Sequence, residues 1–146
     1  MSATGVEAFD KTLRITNTWL GEIMSEEGPD RQRAWHVLGS VLRTVRDRLP
    51  ADLGAHLGAQ LPLLVRGAYY DRYEPSKLPS RARTLDDFIA PLSDDLGPTL
   101  DIDPVEALRT VFQVLSHYLD PGEVRKVRLA LPEEVRALWA DPAQRH

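Results

Sequence analysis

The sequence predicts an all-α protein of two similar helical repeats, packed as one compact bundle with pseudo-twofold character. Two observations carry this. Apolar residues recur at steps of three and four in every long segment, the period of one helical face, and the chain repeats itself at a fixed distance. Leu57 to Asp71 is echoed by Val127 to Asp141. At an offset of 70 residues Leu61/Leu131, Pro62/Pro132, Val65/Val135, Arg66/Arg136 and Asp71/Asp141 are identical, and Tyr69 falls on Trp139. Leu38/Leu108, Val41/Val111 and Leu49/Leu119 obey the same offset, while Trp19/Phe88, Leu20/Ile89 and Ile23/Leu92 match at 69. The matched positions are stripes and breakers, which a duplicated fold retains. The repeats cover about 6–71 and about 84–141 of a single domain, with a linker at about 72–83.

The elements follow in order. Val6, Phe9, Leu13, Trp19, Leu20, Ile23 and Met24 mark an opening helix, weakened at Thr16 and Gly21 and stopped by Gly28-Pro29. Asp30 caps a second helix with the stripe Trp35, Leu38, Val41, Leu42, Val45 and Leu49. Its other side, rich in Arg31, Arg33, Arg43, Arg46 and Arg48, reads as solvated. Leu49-Pro50 ends it, because the residue before proline avoids helical angles. A slim third helix spans about Ala51 to Gln60, where Gly54, Ala55, Gly58 and Ala59 invite close approach by another helix. Pro62 suits the first position of a fourth, reaching about Tyr70. Pro75, Ser76, Pro79 and Ser80 interrupt any period in the linker. Thr84 caps the next helix, which Pro91 is expected to shorten or bend and Gly97-Pro98 to end. Asp103-Pro104 and Asp120-Pro121 open two more, and Pro132 opens a last short one with Val135, Leu138 and Trp139 inward.

This pattern resembles the bacterial family called domain of unknown function 2267. The resemblance rests on an opening helix with an aromatic, a long helix ending in Leu-Pro or Leu-Asp-Pro, and Ala59-Gln-Leu-Pro-Leu-Leu64 with its echo Leu129-Ala-Leu-Pro-Glu-Glu134. It covers roughly Val6 to Asp141. It implies an all-helical tandem fold and transfers no catalytic residue.

Chemistry is sparsely signalled. The chain has no cysteine, which removes thiolate metal sites, disulfides and thiol catalysis together. Its net charge of −4 gives no electrostatic case for nucleic acid as main partner. No run approaches the roughly 18 apolar residues of a membrane span, and the N-terminus shows no signal peptide, so a cytoplasmic location is expected. His36, His56, His117 and His146 form no metal-ligand spacing. Asp52 and His56, four apart, read as a surface pair. Gly39-Ser40 is no nucleophile elbow, and Gly54/Gly58 match no phosphate loop. Asp86-Asp87 and Asp94-Asp95 would do acid/base work only in a pocket that shifts their pKa values; near helix ends they read as caps. No catalytic, cofactor or metal residue is therefore assigned, no cofactor is expected, and the reading leans against an enzyme.

What remains is binding. Tyr69 reads as core, whereas Tyr70 and Tyr73 are candidates for an exposed contact. Arg66 with Asp71, and Arg136 with Asp141, read as an ion pair or cap within each repeat. The leading expectation is a non-enzymatic interaction or adaptor module with a protein partner or a second copy of itself, and without a membrane role. The alternatives are a small-ligand protein or enzyme with a pocket between the repeats, and a nucleic-acid binder using Arg31, Arg33, Arg43, Arg46 and Arg48, Arg72, Lys77, Arg81 and Arg83, or Arg125, Lys126 and Arg128.

Overall fold

The structure is a computed structural model and describes residues 3–98 and 100–140. Among these residues the chain forms α1 (Glu7–Glu27), α2 (Arg31–Arg48), α3 (Ala51–Gln60), α4 (Leu63–Tyr70), a 3₁₀ turn (Pro75–Lys77), α5 (Leu85–Leu96), α6 (Pro104–Tyr118), α7 (Pro121–Ala130) and α8 (Glu133–Arg136), with no strand. The fold class is all-α, as its periodicity requires.

The helix starts are set by local chemistry. Asp30 accepts from the amides of Gln32 and Arg33, and Asp103 from that of Val105. Thr84 and Asp87 form a reciprocal capping box. Asp120 accepts from Glu123 N–H. Each supplies an acceptor for first-turn amides that have no partner within the helix. Gly28 and Gly97 end α1 and α5 with φ of 104° and 82°, a backbone region that favours glycine.

The centre is α2, which packs against α1, α4, α5 and α6. Its expected solvated side is largely covered: Gly39, Ser40, Thr44 and Arg46 are buried along with the stripe. Helices on several sides leave no broad polar face, so this expectation is corrected. Pro91 does not stop α5, which runs on to Leu96. Pro91 is exposed, and the carbonyl four residues back that it leaves without its amide belongs to exposed Asp87.

The Leu61–Pro62 corner is two extended residues, Leu61 with φ −78° and ψ 147° and Pro62 with φ −56° and ψ 150°. Pro62 is therefore the cap of α4, one place before its expected position. Leu131 and Pro132 adopt nearly the same angles, φ −88° and ψ 156° then φ −55° and ψ 148°. The glycines of α3 admit tyrosines of α4. Tyr69 Oη lies 3.6 Å from where a Gly54 Cβ would stand, and Tyr70 Oη 2.6 Å from a Gly58 Cβ. Because Pro62 holds extended angles that proline prefers, Pro62→Ala acts mainly by loosening the unfolded chain. We expect a loss of about 0.4–1 kcal/mol in urea unfolding; a loss several times larger would give the ring a packing role beyond its stiffness.

Candidate interaction surface

The apolar stripe of α1 outruns its cover. Positions 6, 9, 13, 16, 20 and 23 share one face of the helix by spacing. Its lower half is sealed, with Thr16, Leu20 and Ile23 buried. Its upper half is not: Val6, Phe9 and Leu13 are exposed, Phe9 at 52%. The start of α4 is tied alongside, since Leu64 N–H donates to Thr12 Oγ1 at 3.1 Å, satisfying one of that helix's unpartnered amides. Val65 and Tyr69 take the buried positions of α4. Leu63 and Leu64 project elsewhere and are exposed, Leu63 at 52%.

Between α1 and this corner runs a groove of about 600 Å³, whose apolar lining includes Ile15, Trp19, Leu61, Leu63 and Tyr118. Tyr118 stacks on Trp19 with ring centroids 5.6 Å apart. Its phenol is held above its ordinary pKa by partial burial and by the nearby Glu22 carboxylate. Glu22 also meets His117 Nδ1 at 2.8 Å. Trp19 is buried, and its indole N–H has no partner among the described residues. The charged residues lining the groove are Lys11 and Arg66, with no carboxylate.

The family model described as an uncharacterized conserved protein, DUF2267, matches residues 16–138. The chain belongs to the DUF2267 family. The match opens at Thr16, inside α1, so Val6, Phe9 and Leu13 precede it. No curated protein matches the chain.

The arginines of this DUF2267 protein are used very differently from a phosphate-binding stripe. Arg46 donates to the Tyr69 and Asp71 carbonyls at 2.6 and 2.8 Å and lies 5.1 Å from the Tyr73 ring centroid. Arg43 binds Asp95 and the Ala68 carbonyl. Arg33 binds the Glu27 and Asp101 carbonyls, and Arg48 that of Ala82. Arg66 donates to the carbonyls of Gly58, Ala59 and Leu61, and Arg136 to that of Leu131. Most of these carbonyls lie at helix C-termini, where acceptors lack partners and the dipole favours a cation. Arg66 is thus a cap and not a partner of Asp71, whereas Asp141 lies outside the described residues. Arg31 binds the Asn17 side chain, Arg72 pairs with Asp95, Lys77 with Glu74, and Arg128 caps the Trp139 carbonyl. Arg81, Arg83, Arg125 and Lys126 are exposed.

A second, polar groove of about 430 Å³ lies among Arg43, Arg46, Arg72, Glu74 and Asp95. Burial alone would push the Asp95 carboxyl up. Arg72 and Arg43 outweigh it and hold Asp95 below its ordinary value, so it is an ionised bridge. Asp87 is held low by the Arg83 amide and by the Thr84 side chain and amide. Asp86 and Asp94 are exposed. His36 Nε2 meets the Asp95 and Leu96 carbonyls at 2.9 and 3.2 Å, capping α5. Asp52 and His56 are exposed and form no ion pair among the described residues; His146 lies outside them. No cluster of three or more metal-ligating side chains occurs among the described residues. Among them, too, no helix is long and apolar enough to cross a membrane.

The tyrosines divide. Tyr69 is fully buried. Tyr70 stacks edge-on to it at 4.9 Å but is 38% exposed, and Tyr73 is half-buried beneath Arg46. Lys11 and Tyr118 were not singled out by the sequence, and Leu63 and Leu64 only as part of the Ala59–Leu64 motif. One signal was available for Leu63 and Leu64: both lie off the inward stripe of Val65 and Tyr69.

Proposed function

We propose that this DUF2267 protein is a non-enzymatic interaction module of the bacterial cytoplasm, contacting a partner protein through α1 and the Leu61–Pro62 corner. The observation that carries the reading is the apolar groove with exposed Leu63 in its wall, beside exposed Val6, Phe9 and Leu13 on the next face of α1 and exposed Leu64 on α4. Single exposed apolar residues are ordinary, but several on two adjoining helices beside an apolar groove mark a contact surface. In the same reading the chain is a tandem of two repeats, about 6–71 and about 84–141. Support comes from α3 and α7, which begin and end at the same offset of 70, and from Arg66 on Leu61 O and Arg136 on Leu131 O.

The test is capture from the native host with wild type and with Leu13→Glu/Leu63→Glu. Both sites are exposed, so the double variant should keep its melting curve. A protein retained by wild type and lost by the variant supports the reading. Identical captures would sink it.

A further inference from the structure

We infer that the groove receives an acidic amphipathic helix of the partner protein; this rests on the interaction reading and adds the partner's chemistry. The protein as a whole carries a net charge of −4, yet Lys11 and Arg66 are the charged residues of the groove lining. Lys11 is exposed and forms no ion pair among the described residues. Arg66 uses Nε and Nη2 on carbonyls, which leaves Nη1 with no hydrogen bond among those residues. Unmatched donors and cations beside apolar walls call for an occupant with an apolar face and carboxylates at its edge.

Its size follows from α1. Ala8, Lys11, Thr12, Ile15 and Trp19 line the groove from one helical face. At about 1.5 Å per residue this stretch is about 16 Å long, which matches roughly three turns of a docked helix. A helix laid along the groove spans this length, in the helix-in-groove mode.

The experiment is calorimetric titration of the full chain with two blocked helical peptides of about four turns. Both carry Leu on one face; one has Glu elsewhere and the other Lys. We expect the Glu peptide to bind at least about tenfold more tightly than the Lys peptide, with affinity falling as salt rises. Lys11→Glu, at an exposed site, should reverse that order, and Ile15→Glu should weaken both. Equal binding of the two peptides, both weakened by Ile15→Glu, overturns the acidic partner while leaving the interaction surface standing. Binding of neither peptide overturns the helix, and the capture experiment then decides the wider reading on its own. Heat from sodium decanoate with none from either peptide would make the groove a small-molecule site and overturn the helix as its occupant.

Discussion

Arg46→Ala is expected to cost about 1.5–3 kcal/mol of folding stability, the range for losing buried hydrogen bonds from a charged group. Arg46 is only 5% exposed, although it stands in a run of arginines that ordinarily faces water. Its guanidinium joins the end of α4 to α2 through the carbonyls of Tyr69 and Asp71, and also meets Asp47 Oδ1 at 2.8 Å. Truncation opens a cavity and leaves these carbonyls without that donor. Arg46→Lys keeps the charge but not the planar fork that reaches both carbonyls through Nη1 and Asp47 through Nε, so it should fall between wild type and Ala. Chemical unfolding of the three proteins checks this order. A loss below about 1 kcal/mol for the Ala variant, the scale of an exposed pair, would return Arg46 to the surface. Any nucleic-acid binding lost with this variant would then need a folding control before it counted as a contact.

The difference between Arg46 and its expected place shows where the sequence is legible. Caps are local: Asp30, Thr84, Asp103 and Asp120 act on amides two or three residues away, so the helix starts could be read from the chain. The bounds of α3, Ala51–Gln60, follow from the prolines on either side in the same way. Burial is not local. The stripe of α2 shows that one face is inward, but not that α1, α4, α5 and α6 close over the rest. The reverse holds for α1. Phe9 and Leu13 have the spacing of core residues, and their exposure depends on how far the neighbouring helices extend. The candidate groove was hidden for the same reason, since it joins Lys11 and Trp19 to Arg66 and Tyr118, residues far apart in the chain. The tyrosine cluster was visible as a string, but its division depends on Gly54 and Gly58 beneath Tyr69 and Tyr70.

Tyr69 is the companion of Arg46 and carries the second large effect. Its side chain is fully buried, and its hydroxyl donates to the Gly54 carbonyl at 2.6 Å. Tyr69→Ala removes a whole ring from a closed site, for an expected loss of about 3–5 kcal/mol. Tyr69→Phe keeps the ring and loses one buried hydrogen bond, worth about 0.5–1.5 kcal/mol. The pair separates packing from polarity, and alkaline pH separates them again. Burial, with Tyr70 beside it and only partly opposed by Arg46, pushes the Tyr69 phenol well above its ordinary value. A group whose folded pKa is raised contributes stability that is complete below its unfolded pKa, about 10 for tyrosine. That contribution is lost as pH climbs toward the folded value, because the unfolded chain releases the proton first. Above pH about 10 wild type should therefore shed up to about 1.4 kcal/mol per pH unit through this one group. Tyr69→Phe lacks the group, so its deficit against wild type should narrow as pH rises from 9 to about 11. Urea unfolding at several pH values measures both slopes, and parallel curves would mean that the phenol is not held in the core.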